Sequence, residues 1–499
     1  MRYLILCLFV LGCLSQAQGQ HKCITMQSEE MDAQFRRNKK TWDELKTRSM
    51  PSFIPVTFHL VADNDGLGRP SEQLMYRALC ILNQRFEDSN TQMHFYLKGF
   101  TEINRSAIYS DPQGNGQLIS AFRDNFSMNI FIVNDITQGS GGGTTLGYYS
   151  GGRDFIVMLK SSPGDAGYTM EHEIGHFFTL RHTHYGWEDE PFNRIDYVDS
   201  KVNFETLPGS SQTPQGIAIN VELQDGSNCD DAGDNICDTP PDYGVGFTCG
   251  CCNMPYPILD PNCDTIQSQM QNVMSYSSGC GIFEFTEGQS LAMQASYQSN
   301  ERAYLRTNIT QSAYTPVNEP VTIISPANLE TVEVFDNVVF TWEPVTNAEF
   351  YILTVNSEEY RTSDTEFVLT SLNANSGFNR YTVEAFGPFG GGCAGSTQVI
   401  FNTGSTSAVN ELDFVDQLSI FPNPITKQED LNIVFNSTEN IEGEILMFSM
   451  TGQNVYKAKS RINASSNTFR IPTQDLSSGI YILEIKTDSG SITEKIIID

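Results

Sequence analysis

The sequence predicts a multidomain chain, with an α/β unit in its first part and two all-β sandwiches after it. Length is the first observation behind this: 499 residues exceed what one hydrophobic core ordinarily supports, and three folded units are the natural division. The second is a change of texture. Up to about position 306 strand-like apolar runs alternate with helical periodicity; beyond Tyr314 the helical signals stop and short alternating strands with turn residues take over. The third is composition: 39% hydrophobic residues are enough for real cores and exclude wholesale disorder. Sixty acidic against thirty basic residues give a formal charge of −30, which repels nucleic acid and anionic membrane and excludes both as partners. An acidic surface of this kind is compatible with bound calcium.

Taken in order, residues 1–17 have the form of a signal peptide: Arg2, an apolar stretch over residues 3–14, then Ser15-Gln16-Ala17 with small residues for cleavage. The run is too short for a permanent span. Val10-Leu11-Gly12-Cys13 loosely matches a lipoprotein box, so a lipid-anchored form is the rival reading. No other stretch is apolar enough to cross a membrane, and the expected product is exported and soluble. Residues 18–50 are polar and charged, with helical propensity but little to bury, and are expected to be a pro-region.

Residues 51–314 are expected to form the α/β unit. Residues 53–60 read as a strand that Pro55 confines to an edge or a strand start. Residues 71–86 carry Leu74, Ala78, Ile81, Leu82 and Phe86 at helical spacing, and residues 93–97, 129–133, 144–149 and 154–159 read as further strands. Residues 315–404 suggest a β-sandwich with Trp342 in its core. A small-residue linker (405–410) precedes a second sandwich over residues 411–499.

Cysteine usage agrees with export. Of the 12 Cys, Cys7 and Cys13 leave with the signal, and most of the rest crowd between Cys229 and Cys280. In a Gly-, Pro- and Asn-rich segment this reads as disulfides stapling loops. A structural zinc site at Cys249, Cys251, Cys252 and Cys263 is the rival, although adjacent Cys251-Cys252 suits zinc spacing badly.

The chemistry concentrates in one short stretch. Four of the seven His fall between positions 172 and 184, within Glu171-His172-Glu173-Ile174-Gly175-His176-Phe177-Phe178-Thr179-Leu180-Arg181-His182. Residues four apart lie on one helix face, so His172 and His176 can share a metal while Glu173 sits one step round. His182 reaches the same point only if the helix breaks near Thr179 and the chain turns back. Three neutral imidazoles suit Zn²⁺ with an open fourth position, and a carboxylate beside it can carry a proton during hydrolysis.

This extended motif resembles that of the metzincin zinc proteases, and Gln271-Asn272-Val273-Met274-Ser275-Tyr276 resembles their Met-turn. Cys237-Asp238-Thr239-Pro240-Pro241, Phe285-Thr286-Glu287-Gly288-Gln289 and Ile54-Pro55-Val56 are similar to the pappalysin-like branch. The resemblance covers roughly residues 50–306. It implies a zinc-dependent endopeptidase with His172, His176 and His182 as ligands and Glu173 as general base. Met274 would form an apolar floor, Tyr276 would stabilise the transition state or bind the metal in the free enzyme, and the strand near residues 146–150 would align the substrate. It further implies a structural calcium at Asp234, Asp238 and Thr239, for which a solvated acidic turn is the rival. Cys23 in the pro-region is a candidate zymogen switch as a zinc-bound thiolate, with a disulfide or spare thiol as the alternative.

One position departs from the family: Thr179 stands where Gly usually lets the chain turn. Either the turn is made in another conformation, or a β-branched residue at positive φ strains it. The middle sandwich is similar to fibronectin type III. The C-terminal one resembles a type IX secretion sorting domain through Phe421-Pro422-Asn423-Pro424, Met450-Thr451-Gly452-Gln453 and Asp475-Leu476-Ser477-Ser478-Gly479-Ile480-Tyr481, followed by Lys495. The expected partners are protein or peptide substrates and the type IX machinery, with export across a Gram-negative outer membrane. The competing expectation is an inactive metzincin scaffold serving as an extracellular adhesion module, which only Thr179 favours. A glycosidase would leave the three His unexplained.

Overall fold

A five-stranded sheet forms the floor of the first unit in the computed structural model, which describes residues 25, 27–46, 51–136, 145–164, 167–193, 198–210, 213–246, 252–277, 279–333, 337–370, 377–404, 415–426, 429–450, 453–487 and 490–499. Its strands are β1 (Ser52–Ala62), β2 (Met93–Asn104), β3 (Met128–Val133), β4 (Gly147–Ser150) and β5 (Phe155–Leu159), in the order β2-β1-β3-β5-β4. All pairs are parallel except β4–β5, so β4 is an antiparallel edge. β1 is central rather than at an edge. Pro55 is nonetheless tolerated because pairing with β3 starts only at Val56, leaving β2 as its single neighbour there.

The helices are α1 (Glu29–Lys39), α2 (Trp42–Lys46), α3 (Glu72–Asp88), the one-turn α4 (Ser106–Ser110) and α5 (Gly116–Ser120), α6 (Thr169–Phe177) and α7 (Glu287–Gln298). Ser71 caps α3 by accepting from the Leu74 N–H, and Thr286 caps α7 through a full capping box with Gln289. Apolar faces of α3, α6 and α7 close on the sheet around Leu79, Phe86, Ile130, Ile174 and Met293. The expectation that residues 18–50 have little to bury is corrected here. Met31 and Phe35 of α1 enter this core, with Trp42 edge-on to Phe35. A short apolar pair in a charged helix is enough to seat it once a groove receives it.

The middle unit is a β-sandwich whose larger sheet runs over residues 350–355, 358–362, 377–387, 390–391, 399–404 and 331–333. The smaller one comprises residues 323–325, 338–342 and 366–369. Trp342 is buried against Tyr351, as its strand position predicts. The C-terminal unit is a second sandwich of three- and four-stranded antiparallel sheets around Ile433, Met447, Leu483 and Ile496. The chain is thus multidomain and largely β. No helix among the described residues is long and apolar enough to cross a membrane.

The first two units are joined firmly. Cys80 of α3 is disulfide-bonded to Cys393, and the buried Glu384 carboxylate accepts from Arg77 of α3 at 2.5 Å. The Leu97 N–H of β2 donates to the Pro388 carbonyl, and Tyr76 packs between Phe350 and Phe386. Of the crowded cysteines, Cys229 pairs with Cys237 and Cys252 with Cys280, while Cys263 is exposed and free. Pairing of Cys252 removes it from the rival four-Cys zinc set. Cys249 and Cys251, residues 1–17, the switch candidate Cys23 and the 405–410 linker lie outside the described residues.

Candidate metal centre

α6 is nine residues long and almost wholly buried. Its back is tied to α3 by the buried pair Glu171–Arg85 at 3.0 Å. Its C-terminus is met by the buried Arg302 guanidinium, which donates to the Phe177 carbonyl and stacks on the Phe177 ring at 3.7 Å, a cation where the helix dipole is negative. These contacts fix the remaining face, and that face carries His172 and His176.

The helix ends at Phe177, and the Leu180 N–H closes the turn onto the Gly175 carbonyl at 2.9 Å. Thr179 makes that turn at φ 74°, with its hydroxyl buried and without a hydrogen-bond partner among the described residues. Of the two readings the sequence leaves open, the strained one holds. The reversal returns His182 to the helix, so that its Nε2 lies 3.0 Å from Nε2 of His176, which is itself 3.1 Å from Nε2 of His172.

These contacts are not hydrogen bonds among the three rings. His172 Nδ1 lies 2.8 Å from the Val273 carbonyl and His176 Nδ1 lies 2.9 Å from the Leu180 carbonyl, so each Nδ1 carries the proton. His182 Nδ1 faces Glu188 Oε1 at 3.4 Å. All three Nε2 lone pairs therefore point at one another in a buried space, an arrangement that repels itself without a cation. Tetrahedral zinc with bonds of about 2.0–2.1 Å places its ligands about 3.3 Å apart, close to what the three nitrogens adopt. The donor set fits Zn²⁺. Burial holds the rings neutral, helped by neighbouring imidazoles: His172 is pushed down to about 4 by burial and His184 against the Val273 carbonyl, and His176 and His182 fall well below the usual histidine range. Neutral imidazole is the ligand form.

Beneath the rings, Met274 is fully buried and its carbonyl accepts from the Thr183 N–H. Gly175, between the two helical ligands, is what admits it, since a Cβ there would fall 2.4 Å from Met274 Sδ. Tyr276 stands over the site with its ring 4.8 Å from His182 and 5.7 Å from His172. Glu173 is 1% exposed, and its Oε2 accepts from the Thr25 hydroxyl at 2.8 Å. The same hydroxyl accepts from the Tyr149 N–H of edge strand β4 at 2.8 Å. Thr25, ahead of α1, thus bridges the carboxylate and the edge strand.

Asp234 accepts from the Thr239 hydroxyl at 2.9 Å, so these two share a place. Asp238 is close enough to act on the Asp234 carboxyl and accepts from the Thr286 hydroxyl and the Gly288 N–H at the start of α7. Beside Asp234, Glu222 is a buried carboxyl that no periodicity or motif marks out. Burial and the neighbouring Asp234 push Glu222 up to about 10, and Asp234 is itself raised to about 7. Buried acids of this sort suit a divalent cation with oxygen ligands. His184 was also missed. Its ring stacks on His182 at 4.8 Å, and its Nδ1 lies 3.8 Å from Asp242. Burial would raise Asp242, but His184, Thr183 and the Gly244 N–H hold it below the usual range.

Residues 419–499 match the family model described as a secretion system C-terminal sorting domain. The C-terminal unit is a type IX secretion sorting domain, which indicates export to the surface or the exterior and contact with the secretion machinery. No curated protein matches the chain. Among solved structures, the FN1–FN3 domains of chicken CNTN1 are 12% identical, with 37% of this chain and 68% of that one covered at a TM-score of 0.16. Dimeric latent PorU from Porphyromonas gingivalis is 13% identical over 36% of this chain and 20% of that one, at 0.15. Clostridium thermocellum CbhA fibronectin(III)-like modules are 11% identical over 36% and 92%, also at 0.15.

Proposed function

We propose that the chain is an exported zinc-dependent endopeptidase of the metzincin type, closest in its motifs to the pappalysin-like branch. The observation that carries this reading is the convergence of three buried, neutral Nε2 atoms at 3.0 and 3.1 Å with every Nδ1 engaged outward. Zinc, when bound there, supplies a lowered water pKa and a polarised carbonyl. Glu173, once Thr25 has left its Oε2, would take a proton there from the attacking water and pass it to the leaving amine. Edge strand β4 has β5 as its strand neighbour among the described residues, and once Thr25 leaves the Tyr149 N–H its outer side can pair with an extended peptide, the way edges bind added strands. Tyr276 stands where it can donate to developing negative charge. Met274 holds the ligand floor, and Asp234, Thr239 and Glu222 form the place for a structural calcium.

Thr25 occupies both Glu173 and the Tyr149 N–H, so residues N-terminal to α1 act as a pro-segment that must leave before a substrate enters. The test measures zinc content and casein hydrolysis for the full chain, before and after limited proteolysis of its N-terminal segment, beside Glu173→Ala. One zinc per chain in both proteins, with cleavage only by the processed wild type, is the expected result. Zinc binding without cleavage of any peptide in a broad library would favour the inactive scaffold instead.

A further inference from the structure

His182 is the ligand that no helix positions. His172 and His176 ride on α6 and donate through Nδ1 to neutral backbone carbonyls at 2.8 and 2.9 Å. His182 lies five residues past the helix end, on a segment whose only regular features are two successive turns: the Tyr185 N–H donates to the His182 carbonyl and the Trp187 N–H to the His184 carbonyl. Those turns bring Glu188 back to its Nδ1 side at 3.4 Å.

The Glu188 carboxylate is itself held. Its side chain is 4% exposed, and its Oε2 accepts from the Gly186 N–H at 2.7 Å and from the Ser210 hydroxyl at 2.9 Å. Gly186 sits at φ 100°, where a side chain would be strained and would crowd Ile219. Both of these donors go to Oε2, and Oε1 faces the imidazole. Because Glu188 faces Nδ1, it lies on the far side of the ring from the three Nε2 atoms and is not itself a ligand of that centre.

We infer that Glu188 is the positioning residue of the metal centre: it fixes His182 as the Nε2 ligand by accepting its Nδ1–H, and a loop from another part of the chain, through Ser210, locks it in that role. The inference rests on the zinc reading above. A carboxylate behind a ligating imidazole sets its tautomer and orientation and raises its basicity, and losing such a partner weakens metal binding by about 10–100-fold.

The experiment is zinc affinity by competition with a chromophoric chelator, on the full chain, for wild type, Glu188→Ala, Glu188→Gln and Ser210→Ala. Visible spectra of the cobalt-loaded proteins and thermal unfolding of the metal-free proteins accompany it. We expect Glu188→Ala to lose roughly 10–100-fold in zinc affinity and to shift the cobalt d–d bands. Glu188→Gln, which keeps an acceptor at Oε1, should recover part of the loss, and Ser210→Ala should lose several-fold. Equal zinc affinity and unchanged cobalt spectra in all three variants would overturn the assignment while leaving the zinc reading intact. Failure of the wild type to bind zinc would overturn both. Should Glu188→Ala not fold, Glu188→Gln and Ser210→Ala decide the matter alone.

Discussion

Replacing Thr179 by Gly should stabilise the first unit while leaving the three ligands in place. Thr179 sits at φ 74°, and the left-handed region costs a residue with a Cβ about 1–2 kcal/mol. Its buried hydroxyl has no hydrogen-bond partner among the described residues, and stranding a polar group in this way costs roughly 1–3 kcal/mol. Against these gains, Gly loses about 0.5–1 kcal/mol of backbone entropy on folding. The lost methyl group forfeits about 0.8 kcal/mol of burial. Centred values leave a net gain of about 2 kcal/mol, or a rise of roughly 4–8 °C in Tm for a unit of this size. The assay is thermal unfolding of the metal-free full chain, with zinc affinity measured alongside. An unchanged or lower Tm in Thr179→Gly would refute the reasoning, because it would mean that Thr179 carries packing that outweighs its backbone strain.

Gly175→Ala should do the opposite: its Cβ meets Met274 Sδ at 2.4 Å, so Met274 must shift, and zinc affinity and Tm should both fall. Normal values for both would remove Met274 from the floor of the site. Glu222 and Asp234 have folded pKa values raised to about 10 and about 7, so without calcium their contribution to stability is present in acid and fades as pH rises. Added Ca²⁺ should therefore raise Tm more at pH 8 than at pH 5, and a pH-independent shift would exclude these acids as ligands. His59 is lowered to about 4 by burial, so its contribution is present above about 6.5 and lost as pH falls toward 4. Tm of His59→Gln should accordingly fall less steeply over that window than Tm of the wild type, and parallel slopes would contradict this. Removing the Cys80–Cys393 link frees a loop with a sequence separation of 313 residues. Chain entropy then predicts about 6 kcal/mol of lost stability for Cys393→Ser in urea unfolding, and a loss below 1 kcal/mol would mean that the interface alone holds the two units.

Much of the site was legible in the sequence because its information is local. A separation of four places two His on one helix face whatever surrounds it, and Thr179 at the turn announced either an unusual turn or a strained one. The strand and helix texture of residues 53–159 likewise follows from side-chain periodicity, which is set by backbone geometry alone. Periodicity and turn residues also sufficed to place two β-sandwiches after an α/β unit.

Other features depended on contacts between residues distant in the chain, and no spacing rule reaches across such gaps. Thr25 meets Glu173 across 148 positions, and Ser210 meets Glu188 across 22. Asp238 also accepts from the Gly288 N–H at the start of α7, and Glu222 stands beside Asp234 as a further buried acid. Phe35 became core because a groove in the first unit received it. Local spacing was enough to expect three imidazoles at one point and a turn between them, as the structure has it. Which carboxylates stand behind them followed only from folding, because burial and pairing are properties of the surroundings that a side chain meets once the chain is folded.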